Sequence, residues 1–147
     1  VTRGRKKDHR HRAREAALQI LYQCEIARAD VDRAAETFFA LQWPDADPPS
    51  DALREFASTL ARDTTARLAA IDPMIAETAA HWRPERMAVL DRLILRMAIC
   101  EMLRDPETPA AVVINEALEL ARTFTTEESV KFINGMLDAV RKKLEAR

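Results

Sequence analysis

MAVLDRLILRMAICEML, residues 87–103, is apolar around most of a helical circumference, with only Asp91, Arg92, Arg96 and Glu101 interrupting it. A segment with that pattern is contacted from several sides, so it predicts a central helix whose few charges are informative. Two glycines in 147 residues, against abundant Ala, Leu, Arg and Glu, leave little material for hairpin turns and favour helices throughout. The fold class expected is all-α.

Working outward, stripes at three-and-four spacing mark the other helices. Ala13, Ala16, Ala17, Ile20, Leu21 and Cys24 form the first, and Val31, Ala34, Ala35 and Phe38 a short second. WPDADPP (43–49) breaks the second because three prolines in six residues cannot continue a helix. Ser50 is placed to cap a third helix carrying Leu53, Phe56, Ala57, Leu60, Thr64, Leu68 and Ile71 on one face. Asp72 and Pro73 read as the cap and first residue of a fourth, running to about His81, where the imidazole would favour the negative end of the helix dipole. Pro84 is expected to start the central helix and Pro109 the sixth. Thr125 with Glu128 reads as a capping box for a last helix striped by Val130, Ile133, Leu137, Val140 and Leu144. Seven helices in a single compact domain, with no internal repeat, account for the chain.

Charge is distributed unevenly along this chain. The first fourteen residues, VTRGRKKDHRHRAR, hold seven Lys and Arg against one acid, Asp8, whereas residues 15–147 hold sixteen bases against twenty-three acids. A basic arm over residues 1–12 on an acidic body, 13–147, suits a polyphosphate ligand on the arm and a different partner on the body. The length is sufficient for a core that needs no disulfide or metal staple. Cys24 and Cys100 lie in apolar periodic segments without C-x-x-C spacing and read as buried thiols of a cytoplasmic protein. No apolar run approaches a membrane span, and no secretory core follows the charged N-terminus.

The sequence carries no recognisable enzymatic signature. His9, His11 and His81 do not pair with the cysteines at metal spacing, and no phosphate-cradling glycine loop or nucleophile elbow occurs. Neither an enzyme nor a cofactor is expected. The arm is richest in arginine where it joins the helix, at Arg10, Arg12 and Arg14, and guanidinium forks suit phosphate oxygens and also stack on bases. Tyr22 falls roughly opposite the apolar stripe of that helix, available to an unstacked base or to a second packing face. In TTEESVKFINGMLD (125–138), Lys131 and Phe132 read as a cation-plus-aromatic spot that joins the arm in one nucleic-acid surface, with Phe132 filling a secondary core as the alternative. Gly135 reads as a point of close approach.

RHRAREAALQILYQCE, VLDRLILRMAICEML, PAAVVINEALELARTF and EESVKFINGMLD, in that order and at those separations, resemble the NusB family of bacterial transcription antitermination factors. The resemblance covers essentially the whole chain. It implies a seven-helix domain built as two three-helix subdomains, binding single-stranded boxA RNA of ribosomal RNA leader transcripts. It also implies a heterodimer with the ribosomal protein NusE that joins elongating RNA polymerase with other Nus factors; no reaction is catalysed. By the same resemblance Lys6, Arg10, His11, Arg12, Arg14, Tyr22, Lys131 and Phe132 contact RNA, while Asp91 and Glu128 face the protein partner. His11 stands where the family often has arginine, so its positive charge depends on pH. A homodimer through an apolar helix face is equally compatible. The same domain type occurs in RNA cytosine methyltransferases, whose catalytic half is not found in these residues. Two rivals remain: a helical DNA-binding module, for which the final helix offers few base-reading side chains, and a protein-interaction scaffold.

Overall fold

A computed structural model describes the backbone of residues 2–79 and 84–147 and the side chains of residues 9–79 and 85–147. His81 therefore lies outside the described residues, as does the side chain of Lys6. Among the described residues there are seven α-helices and no strands. They are α1 (Thr2–Ala27), α2 (Val31–Thr37), α3 (Asp51–Ala66), α4 (Leu68–Thr78), α5 (Val89–Arg104), α6 (Ala110–Phe124) and α7 (Glu127–Glu145). One π-helical turn, Phe38–Gln42, follows α2, and one 3-10 turn, Pro84–Arg86, precedes α5. Contacts divide the chain into two compact units, residues 1–65 with α1 to α3 and residues 66–147 with α4 to α7.

In the first unit the α1 stripe is interior: Ala13, Ala16, Ala17, Ile20 and Leu21 are buried, whereas Cys24 is only half-buried. Burial, with help from the Asp30 carboxylate, raises the Cys24 thiol pKa. Arg28 closes α1 by entering the left-handed region at φ 53°. Asp30 then caps α2 by accepting from the Arg33 amide. Ala34, Ala35 and Phe38 are buried as the periodicity predicts, and Phe38 opens the π-turn that ends at Trp43. Ser50 accepts from the Leu53 amide at 3.1 Å and so caps α3 as expected.

The second unit centres on α5, which packs against α4, α6 and α7. Leu93, Ile94, Leu95, Met97, Ala98, Ile99 and Cys100 are buried, as are the charged Asp91, Arg92 and Glu101. Ile133, Met136, Leu137 and Val140 supply the interior stripe of α7, while Val130 and Leu144 are only half-buried.

Four boundaries differ from the sequence reading. The break expected at Asp72 falls at Arg67 instead, just after Thr64 and Thr65 return their hydroxyls to the Leu60 and Ala61 carbonyls. Pro73 then lies inside α4, and Asp72 is engaged by Arg96 of α5 through paired bonds of 2.8 Å. Pro84 opens the 3-10 turn, and α5 begins only at Val89. The last cap is Thr126, accepting from the Ser129 amide; Thr125 instead ends α6, its amide and hydroxyl both donating to the Ala121 carbonyl. No described helix is long and apolar enough to cross a membrane.

Candidate nucleic-acid interface

In the first unit, the functional side chains lie along the beginning of α1. Helical geometry sets Arg10 and Arg14 on one face, four residues apart, with Arg12 directed elsewhere. Both Arg10 and Arg14 reach the Phe56 ring of α3, with guanidinium carbons 5.7 and 5.3 Å from its centroid. The two differ in exposure. Arg10 is exposed and has no carboxylate partner among the described residues, whereas Arg14 is 3% exposed. In this arrangement the Arg14 guanidinium offers little surface to a phosphate, although the expected contact is with RNA. Its i, i+4, i+7 companions Leu18 and Leu21 are buried, and it belongs to that interior face.

Arg12 turns toward the loop after the π-turn. Its guanidinium lies 5.4 Å from the Trp43 ring and bonds the Asp45 carboxylate, with both charged side chains more than a third exposed. His11 meets Glu15 at 3.2 Å, and the His9 ring lies 3.4 Å from the Ser50 hydroxyl. His9, Arg10 and Arg12, assigned to the basic arm, thus already touch α3 and the loop before it. Tyr22 is 41% exposed, away from the α1 stripe, and Ile26 one turn later is exposed as well. Of the two readings of Tyr22, an accessible aromatic fits this placement.

The second unit carries a cavity of about 340 Å³ between the start of α5 and the start of α7. Met87, Ala88, Asp91, Thr126, Glu128, Ser129 and Phe132 line it. Asp91 is buried, and its Oδ2 accepts from the Ser129 hydroxyl at 3.0 Å while Oδ1 has no hydrogen-bond partner among the described residues. A buried carboxylate oxygen without a donor is costly, and a cationic group entering the cavity would satisfy it. Glu128 is exposed at the rim, freed because Thr126 rather than Thr125 caps α7. Phe132 is half-buried in the cavity wall, whereas Lys131 is exposed to solvent. The structure thus groups Phe132 with the acids Asp91 and Glu128.

Gly135 corrects another expectation: it is exposed, and a Cβ there would meet nothing within 4 Å. Among the described residues no neighbouring element approaches it. Sequence reasoning missed Phe56, Trp43, Asp45 and Ser129. The arginine pair at i, i+4 and the serine three residues after Thr126 were the available signals.

The family model described as the NusB family matches residues 11–142. A transcription antitermination protein NusB of Solibacter usitatus is 47% identical over 135 residues, covering 92% of this chain and 90% of the relative. Among solved structures, T. maritima NusB is 34% identical with a TM-score of 0.81, covering 90% of each chain. A crystal structure of the antitermination factors NusB and NusE in complex with dsRNA matches with a TM-score of 0.79, covering 92% of this chain and 98% of that one. At 20% identity that likeness speaks for the fold. Whole-length identity near one half, a family model spanning nearly the entire chain and the same helical architecture place the chain in the NusB family of transcription antitermination factors.

Proposed function

We propose that this protein binds boxA RNA of ribosomal RNA leader transcripts together with the ribosomal protein NusE, and joins elongating RNA polymerase with other Nus factors. The observation that carries the reading is the set of accessible cations at the start of α1, with Arg10 free of any carboxylate among the described residues and Arg12 held by an exposed carboxylate and the Trp43 ring. Single-stranded RNA neutralises such groups through its phosphates and leaves its bases free to stack on an accessible ring, the role assigned to Tyr22. Lys6 and His11 extend the positive stretch. Lys131, exposed on α7, is assigned a supporting phosphate contact, and Phe132 an aromatic one.

Asp91 and Glu128 belong to the protein partner. A basic ribosomal protein can present a lysine or arginine to the Asp91 oxygen that lacks a donor among the described residues, with the apolar wall at Met87 covering the side-chain stem. The solved complex of a NusB with NusE and dsRNA supports the pairing of these two ligand classes on one fold.

Two variants separate the contacts. Arg10→Gln with Arg12→Gln should weaken boxA RNA binding by about tenfold or more while leaving NusE binding intact. Asp91→Asn should do the reverse, weakening NusE binding with little effect on RNA measured without NusE. Unchanged RNA affinity in the double arginine variant, with the fold intact, would remove the basis of the proposal.

A further inference from the structure

A row of flat groups on the first unit runs from α1 across the π-turn to α3. Arg12 lies over Trp43 at 5.4 Å; Trp43 and Phe39 have centroids 5.9 Å apart at 40°; and Arg54 lies over Phe39 at 5.4 Å. The order is therefore guanidinium, ring, ring, guanidinium. Both rings are half-buried, and Arg54 is exposed. Arg54 makes no ion pair among the described residues, although Asp51 and Glu55 are close to it in sequence. A purely structural cation–π contact does not need such a row to end in an unpaired exposed charge.

The middle of the row also has an unusual backbone. Phe38–Gln42 forms a π-turn, an uncommon element that recurs at functional sites, and it carries Phe39 toward Trp43. The Trp43 ring is held in place by its indole N–H, which donates to the Asp47 carbonyl at 2.9 Å. Beside it, Asp45 occupies Arg12 as a phosphate oxygen would, an anion on a guanidinium already stacked on an aromatic ring.

We propose that the RNA path extends beyond the arm along Arg12, Trp43, Phe39 and Arg54, and that Asp45 is an internal competitor which the RNA phosphate displaces from Arg12. This inference rests on the RNA reading above and adds a second segment of contact to it. Positive charge at both ends and flat apolar groups between them fit a single strand with unstacked bases, since phosphates take the guanidinium groups and bases take the ring faces. A duplex would present no base faces to the rings. An acidic peptide would satisfy the cations and leave the aromatic centre without a role.

The test uses the full chain, a short single-stranded RNA, and the same strand made abasic. Arg54→Gln should weaken binding by about threefold or more and reduce the magnitude of the log-log salt slope by about 0.7, the value of one phosphate on a single strand. Asp45→Asn should tighten binding by about threefold by releasing Arg12. The abasic strand should bind at least about fivefold more weakly than the intact one, and Phe39→Leu should narrow that gap. Melting temperatures of the variants, compared in parallel, separate these effects from loss of fold. If Arg54→Gln and Asp45→Asn leave affinity and slope unchanged while the Arg10 and Arg12 variants weaken binding, the extended path is overturned and the arm reading stands. If all the variants bind alike, both readings fall. Equal binding of abasic and intact strands would overturn the stacking role of the rings.

Discussion

Arg10 and Arg14 lie over the same phenyl ring from the same face of α1, yet only one of them is accessible. Arginine over an aromatic ring is worth little at an exposed site and more where water is excluded, so equal geometry gives unequal roles. Arg14→Ala should cost about 2 kcal/mol of stability, read as a lowered denaturation midpoint, while RNA affinity per folded molecule stays unchanged. Arg10→Ala should show the opposite pattern. A stable Arg14 variant that had lost RNA affinity would contradict the assignment. The sequence already held the clue, because Arg14, Leu18 and Leu21 follow helical spacing as surely as the alanines do. The composition of the arm drew attention to the charge instead. Phe56 could not be read as its partner, since only folding brings a residue 42 positions away beneath the guanidinium.

At the scale of elements, apolar periodicity made the helices legible and local chemistry misplaced some of their ends. Asp72–Pro73 has the local form of a helix start, but the Arg96 fork gives Asp72 a long-range partner and the helix continues through it. Likewise Thr125 with Glu128 has the local form of a capping box, but Thr125 is the C-cap of α6, with its amide and hydroxyl both on the Ala121 carbonyl, and Thr126 caps α7. That one-residue shift sets Ser129 as the capped amide and also the donor to Asp91, with Glu128 left at the cavity rim. Gly135 is the informative exception in α7. A Cβ there meets open space, so Gly135→Ala should stabilise the isolated protein by about 1 kcal/mol, measured by thermal or chemical denaturation. A destabilised Gly135→Ala protein would mean that the glycine is held by a contact the present account lacks.

For the molecule as a whole, the basic start and acidic remainder were visible from residue counts alone, and so was the all-helical class. The division into units of three and four helices was not, because no glycine- or proline-rich linker marks it: the chain passes from α3 to α4 through the single turn at Arg67. The cavity at Asp91 was equally hidden, since its walls come from the approach to α5 and the first turns of α7, about 40 residues apart in sequence. On the proposed reading the tasks are separate, with the cations at the start of α1 for a polyanion and the acids Asp91 and Glu128 for a basic protein. Opposite charge at the second contact should speed encounter more than it raises affinity.

The most direct test of the RNA assignment is the salt dependence of boxA RNA affinity, measured with NusE present for the intact protein and for a form with Lys6, Arg10 and Arg12 neutralised. If three to five cations reach phosphates, the intact protein should give a log-log slope of roughly −2 to −3.5, and the neutralised form a visibly shallower one with weaker binding. Equal affinities and equal slopes for the two folded proteins would contradict the claim that the start of α1 holds the transcript.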